Sequence, residues 1–404
     1  MLSVTEVWQR LDSLAAPLAT EPVSLAAASG RVLRAAVTAP EDQPAFDRSA
    51  IDGYVVPLDT PVAASLTVAA TIPVGQLAPV FPASPVALKL FTGSAVPEGR
   101  VGLVMHEDTT TSASGITLRS APSLSHIRRR ASQARAGDLL LPAGTRLNPG
   151  DLALLASVGV TRPIVTRRVR VAHLVTGGEL VPPETTPAPG QIRDSNSVLL
   201  AALLAAHGST DLVAHTRAGE SHASVSAAFT NLLATSPDLL LISGGSSGGD
   251  HDHTARLFAE HGFSLAVNQV ASRPGKPLLV ATRPTASGPQ IAFGLPGNPL
   301  AHFVCFHLFV ARLLDRLLAT TPAPLVHVPL APGTPLRPHP RETWWPAART
   351  ADGYAPLPWA DSSDLTVLAR THALLRVPST QTAIVNQSLT TRSAPAPTAD
   401  AFLV

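Results

Sequence analysis

Apolar positions mark the chain's organisation before any single residue does. Residues 239–242 are four apolar residues in a row, and they run straight into Ser243-Gly-Gly-Ser-Ser-Gly-Gly249. An unbroken apolar run of this length suits a strand covered on both faces. Similar strands are predicted over 169–175, ending at Thr176-Gly-Gly, and over 290–295, running into Pro296-Gly-Asn-Pro299. Further strands are predicted over 212–215, 265–270 and 278–282. Helices are predicted over 198–207, within 220–234, near 253–261 and over 299–318. This alternation across 167–320 predicts a doubly wound, mainly parallel α/β sheet, whose ligands bind at the carboxyl ends of its strands. All three glycine-bearing loops follow strands at that end.

The flanks read differently. Ser3-x-x-Glu6 is a capping box opening a helix with Val7, Leu11, Leu14 and Leu18 on one stripe. Residues 41–125 hold short β-rich runs (66–72, 86–91, 102–104) and predict an inserted β module. Asn148-Pro-Gly-Asp151 starts a helix over 151–158 that Gly159 ends. The segments 1–40 and 126–166 then form one discontinuous domain. A proline-rich boundary over 322–340 opens a C-terminal β domain, 321–404, with strands expected at 325–329, 343–347, 365–369 and 373–377. Residues 385–399, rich in Ser, Thr, Ala and Pro, are expected to be loosely ordered.

Composition narrows the function classes. At 404 residues the chain has room for roughly two to four domains. Its 30 basic and 28 acidic residues leave a net charge of +2, so neither nucleic acid nor an anionic membrane is an expected partner. The single cysteine, Cys305, excludes an internal disulfide and cysteine-based zinc sites. Glu6 and Asp12 near the start, with no apolar core between them, do not read as a signal peptide. No stretch offers about 18 uncharged apolar residues. The chain is expected to be soluble and cytoplasmic.

Several constellations can carry chemistry. The loop after residue 243 presents backbone N–H groups suited to an anion. Arg273-Pro-Gly-Lys276-Pro places two cations on a turn stiffened by proline on each side. Glu179 lies just past a strand end, in the predicted crevice. Asp47-Arg-Ser-Ala-Ile-Asp52-Gly-Tyr54 reads either as a polar turn or as a clamp for a metal or polar substrate. In Asp250-His-Asp-His253 at most two side chains can share one ion. A helix cap or an Asp252 carboxylate beside Mg²⁺ and phosphate both suit that pattern. His126-Ile-Arg-Arg-Arg130 reads equally as a solvated face and as phosphate contacts.

Eleven motifs, in order within a match that runs from about residue 3 to 377, resemble the molybdopterin molybdotransferase family, MoeA in bacteria and the gephyrin E domain in animals. They are 47–54, Thr92-Gly-Ser-Ala-Val-Pro-Glu-Gly99, 104–107, 127–130, 142–145, 154–159, Thr176-Gly-Gly-Glu-Leu180, Gly190-Gln-Ile-Arg-Asp-Ser-Asn196, 243–249, Pro274-Gly-Lys-Pro277 and 295–299. The resemblance implies a four-part subunit and a homodimer with a shared active site. It implies insertion of molybdate into adenylylated molybdopterin, with loss of AMP in the presence of Mg²⁺.

Carried over residue by residue, it implies catalytic roles for Asp47, Thr92, Glu179, Asp238, Asp252 and Lys276, with Asp238 and Asp252 toward Mg²⁺ and Asp47 and Thr92 acting from the partner side. It implies pterin and anion contacts from Thr176, Gly177, Ser195, Asn196, Gly244, Gly245, Ser246, Ser247, Gly248, Arg273, Pro296, Gly297, Asn298 and Pro299. Arg341 and Ser362 roughly match an Arg and a Ser linked to molybdate. Two family acids are absent, at Gln133 and Gly178, and the loop 244–249 lacks two apolar residues. A non-catalytic molybdopterin carrier is therefore the alternative expectation. An adenylyltransferase on the α/β domain alone is a third, disfavoured by the additional domains.

Overall fold

The computed structural model describes residues 1–404 except 220, 245–249, 287, 333–335 and 381–397, with only the backbone of 250–252. The chain forms two compact units. One comprises Met1–Arg34, Gly144–Leu152 and Thr161–Val404, and the other Ala35–Ala143 and Ala153–Val160.

The second unit is built on a four-stranded sheet of β1 (Gly53–Pro57), β2 (Val68–Ile72), β3 (Ala87–Leu90) and β4 (Val101–Met105), in the order β2-β3-β1-β4. Alternate side chains on β1 go to opposite cores. Tyr54 and Val56 join Val104, Ile116 and Leu118, while Val55 joins Leu88, Leu90 and Leu103. Period-two burial on both faces explains why these segments read as nearly continuous apolar runs.

In the first unit, α1 (Val4–Leu14) starts with the predicted capping box. Ser3 N–H donates to Glu6 Oε2 at 2.7 Å, and Glu6 N–H to Ser3 Oγ at 3.2 Å. α2 (Pro149–Ser157), whose first four residues belong to this unit and the rest to the second, opens with a reciprocal pair between Asn148 and Asp151. The α/β domain then runs β5 (Val169–Thr176), α3 (Ser195–His207), β6 (Thr210–Ala218), α4 (His222–Ala234), β7 (Leu239–Ser243), α5 (Asp250–Glu260), β8 (Ser264–Asn268), β9 (Ser272–Arg273), β10 (Leu279–Thr285) and β11 (Gly288–Leu295). The predicted long helix follows as α6 (Pro299–Cys305), a π-helical segment Phe306–Val310, and α7 (Ala311–Leu317).

The domain's sheet has the order β6-β5-β7-β11-β10-β8, with the first four strands parallel, β10 running against them and β8 running with them again. Leu239, Leu241, Ile291 and Phe293 face α1, α3, α6 and α7. Leu240, Ile242 and Ala292 face Phe229 and Leu232 of α4 and Leu257 and Phe258 of α5. This two-sided cover is why residues 239–242 contain no polar position.

The C-terminal domain adds β12 (Val326–Pro329), β13 (Glu342–Thr350), β14 (Gly353–Pro356), α8 (Leu365–Leu368), β15 (Ala373–Val377) and β16 (Thr398–Leu403). Its sheet runs β9-β13-β15-β16-β12, with β14 on β13. The strand expected over 365–369 is instead the single helical turn α8. Asp364 Oδ1 accepts the Thr366 N–H at 3.0 Å, a side-chain cap that outweighs the alternation of Leu365 and Val367. Of the stretch expected to be loose, 385–397 lies outside the described residues, while 398 and 399 belong to β16.

β9 belongs by sequence to the α/β domain yet pairs with β13, Ser272 with Glu342 and Arg273 with Thr343. Trp344 of β13 is fully buried and meets both Trp8 and Phe402 at 6.2 and 5.4 Å between ring centroids. Trp344→Ala should lower unfolding free energy by about 3–5 kcal/mol, because a large buried ring leaves a cavity. Chemical denaturation of the variant checks this, and a loss below about 1 kcal/mol would contradict the packing described.

Candidate functional site

Register makes the site. Val175 pairs with Ser243, and Ser243 with Leu295, so β5, β7 and β11 end level with one another. β10 runs the other way, and its first residue Leu279 pairs with Gly294. That brings the Arg273–Pro277 turn to the same edge. A cleft of ≈ 1310 Å³ opens there. Thr176, Gly177, Glu179, Ser195, Asn196, Gly244, Arg273, Lys276, the turn 296–299, Arg341 and Ser362 all line it. The sequence placed most of these only through the resemblance, and the fold gathers them on one wall system.

The floor is tied together by short polar contacts. Asn196 Nδ2 donates to Gly297 O at 2.6 Å. Asn298 Nδ2 donates to Ser362 Oγ at 2.7 Å, and Leu300 N–H to Ser362 O at 3.0 Å. Asp194 caps α3 by accepting the N–H and hydroxyl of Ser197 at 3.0 and 2.6 Å. Gly244 has φ +99°, and a Cβ there would lie 2.3 Å from Thr176 O. Only glycine lets β7 leave the sheet so close to β5.

Cationic side chains share the walls with the carboxylates Glu179, Asp194 and Asp361. Arg341 donates to Ser272 O at 2.8 Å, and no carboxylate pairs with Arg273, Lys276 or Arg341 among the described residues. Burial and the Arg273 charge hold the Arg341 guanidinium below its ordinary pKa. His339, which accepts the Arg341 N–H at 3.0 Å, is lowered by burial and then by both arginines. Cations held together without an ion-paired carboxylate form a site for an anion.

A polar chain that sequence reasoning missed runs from the exposed His215 into the buried interior at the strand ends. His215 Nδ1 lies 3.1 Å from His173 Nδ1, His173 Nε2 lies 2.8 Å from Ser243 Oγ, and Ser243 Oγ lies 3.5 Å from His302 Nδ1. His173, Ser243 and His302 are fully buried. Burial pushes His173 well below its ordinary range and His302 down to about 4. The only signal available was a histidine inside each of two apolar runs. Trp359, another lining residue, was also missed, because an isolated tryptophan carries no motif.

Other predicted residues lie elsewhere. Asp238, expected to act catalytically and hold Mg²⁺, is not among the residues lining the cleft. It sits at the amino end of β7, opposite the cleft, where Arg167 donates to both its oxygens at 2.7 Å and Arg170 N–H at 2.9 Å. Its position just before the apolar run already put it at the wrong end of the strand. Asp47 and Thr92 lie in the second unit. There Asp47 accepts from Arg129 Nη1 at 2.6 Å and Arg130 N–H at 2.8 Å, and Thr92 N–H donates to Asp52 at 2.6 Å. Arg130 also binds Asp42 at 2.6 Å, so two arginines of the run are ion-paired. Gly245, Ser246, Ser247 and Gly248, with the Asp252 side chain, lie outside the described residues. No group of three or more His, Cys, Asp or Glu able to hold a metal ion occurs among the described residues.

Comparison with known proteins adds an independent line. A family model described as "MoeA N-terminal region (domain I and II)" matches residues 2–159. Another, described as "Probable molybdopterin binding domain", matches residues 172–316. A molybdopterin molybdenumtransferase of Nostoc is 38% identical over 314 residues, covering 74% of this chain and 69% of that one. The Bacillus subtilis protein of the same name is 33% identical over 318 residues, covering 75% and 72%. A crystal structure of a MoeA molybdopterin biosynthesis protein from Pyrococcus horikoshii is similar with a TM-score of 0.74 at 25% identity, covering 94% of this chain and 95% of that one. Another from the same organism, at 22% identity and a TM-score of 0.80, shares the fold over 100% of both chains.

Two outcomes follow from the floor. Gly244→Ala should weaken ligand binding in the cleft at least about tenfold, since either the strained φ or the Thr176 contact must give. Ligand titration against the wild type checks it. Second, histidines depressed in the folded state bind protons more readily when unfolded. Stability should therefore fall as pH drops below 6.5, and continue falling toward 4 for His302 and His307, both held near 4 by burial. Each contributes up to about 1.4 kcal/mol per pH unit in that window. Melting curves from pH 7 to pH 5 should show the slope, and a flat profile would contradict neutral buried rings.

Proposed function

Since the chain belongs to the molybdopterin molybdenumtransferase family, we propose that it inserts molybdate into adenylylated molybdopterin with release of AMP, in the cleft at the strand ends. It is a transferase of molybdenum cofactor biosynthesis. The observation that carries the detailed reading is the convergence of Arg273, Lys276 and Arg341, none of them ion-paired to a carboxylate among the described residues, on a cleft floored by three level strand ends. Molybdate and the pyrophosphate link of an adenylylated pterin are both anions, and Arg forks match their oxygens bidentately.

In this reading Arg341 and Ser362 hold molybdate, with Asn298 fixing the Ser362 hydroxyl. Lys276 and the backbone of 244–248 hold the phosphates. Thr176, Gly177, Ser195, Asn196 and the 296–299 turn meet the pterin side. Glu179 is an exposed carboxylate on the cleft wall. It suits Mg²⁺, which takes one or two protein carboxylates along with substrate oxygens, and Asp252 is the second candidate. Bound there, Mg²⁺ would neutralise charge on the phosphates. The chain's own groups then orient the link: Lys276 screens the leaving phosphate, and Glu179 can accept a proton from water attacking it.

The proposal extends to assembly. In a homodimer, the cleft would be completed by the partner subunit's Asp47 and the partner's Thr92. The proposed boundaries remain 1–40 with 126–166, 41–125, 167–320 and 321–404. No described helix is long and apolar enough to cross a membrane, which supports a cytoplasmic reading.

AMP release from adenylylated molybdopterin, measured with and without molybdate, is the decisive assay. Release should depend on molybdate, and Lys276→Ala or Arg341→Ala should lower it at least about tenfold. Gly178→Asp and Gln133→Asp, which restore the family's acids, should change the rate by less than about threefold. Pterin binding without AMP release, rescued by those two substitutions, would instead identify a carrier.

A further inference from the structure

Trp359 lines the cleft, and its ring lies 5.2 Å from the Arg273 guanidinium carbon. Trp345 meets that ring edge-on, with centroids 6.0 Å apart and planes at 81°. Trp345 Nε1 donates to Leu357 O at 2.9 Å, and Leu357 N–H donates to Pro346 O at 2.8 Å. The stack therefore stands on β13: strand, Trp345, Trp359, Arg273. Trp359 Nε1 is buried with no hydrogen-bond partner among the described residues. Its structural contribution is its face.

The Arg273 backbone is fixed by pairing with Thr343 and by Pro274. Its long side chain is not fixed by that pairing, and a free arginine carries about 2 kcal/mol of rotamer entropy. Arg341 stands close enough for its charge to be felt, so repulsion favours Arg273 swinging toward water. A carboxylate could hold the guanidinium still, but it would occupy the donors and cancel the charge. An aromatic face holds a guanidinium by cation–π attraction and leaves every N–H available.

We propose that Trp359, supported by Trp345, is the positioning residue for Arg273. It fixes that guanidinium as the second arm, beside Arg341, of a site for a tetrahedral dianion. This rests on the molybdate reading above. It makes the C-terminal domain the part that sets oxyanion affinity, while the α/β domain sets pterin affinity.

The test compares Trp359→Leu, which removes the face, with Trp359→Phe, which keeps a face and removes only an unpartnered N–H. Molybdate is the calorimetric probe, with sulfate as competitor, and KM is measured separately for molybdate and for the pterin substrate. Trp359→Leu should raise the molybdate Kd and KM about tenfold while leaving the pterin KM within about twofold. Trp359→Phe should stay within about threefold of wild type. Arg273→Lys keeps the charge but loses the planar stack, so it should match Trp359→Leu. The double variant should be no worse than either alone.

Equal losses for the Phe and Leu variants, an unchanged molybdate Kd in Trp359→Leu, or additive losses in the double variant would each overturn the proposal. If Trp359→Leu does not fold, Arg273→Lys against Trp359→Phe decides by the same criteria. A wild type that binds molybdate yet releases no AMP would sink the functional reading alone, since the Kd comparison stands without turnover.

Discussion

Everything at the cleft depends on one register. Val175, Ser243 and Leu295 finish their strands side by side, so three loops leave the sheet at one level and face one volume. A shift of a single residue in β7 would turn Ser243 to the other face and carry Gly244 away from Thr176. The register is secured by apolar packing on both faces rather than by the loops themselves. The rings of Phe229 and Phe258 press from one side and those of Phe293, Phe306 and Phe309 from the other. A rigid, two-sided core holds the three strand ends in place at the edge of the cleft.

Much of this was legible in the sequence. Two-sided burial left an unmistakable apolar run at 239–242, and caps at Ser3 and Asn148 marked helix starts. Local chemistry of that kind is written in consecutive residues. Partners distant in sequence are harder to read. Asp238 looked like a site acid because motif order says nothing about which end of a strand a residue occupies, and Arg167 supplies its counter-charge from outside the motif. The strand expected at 365–369 failed because one capping aspartate decides so short a segment. Trp359 and the His215–His173–Ser243–His302 chain were invisible because each contact joins residues that no periodicity links.

The two domains of the first unit share more than a border. β9 leaves the α/β domain to become the outer strand of the C-terminal sheet, and Ser362 reaches back to Asn298 and Leu300. The cationic turn thus has its backbone in one sheet while its flanks belong to the other. Motion of the C-terminal sheet relative to the strand ends would displace Arg273 and Arg341 together, preserving their spacing while changing their distance from the floor. In the proposed reading, anion binding and pterin binding are therefore mechanically separable within one cleft.

The N-terminal helix carries a different consequence, one of timing. Trp8 donates its indole N–H at 2.8 Å to Leu308, a residue 300 positions later in the chain, and Asp12 accepts from both Arg312 and Arg316. At synthesis rates of about 5–20 residues per second, those partners emerge roughly 15–60 s after the helix does. For that interval α1 is an amphipathic segment with an unburied apolar stripe, while the sheet it will cover is still being made. The β module of the second unit, whose pairings are short-range by comparison, can close in the meantime. α1 can therefore dock only after residues 308–316 have been made, although it is itself made early.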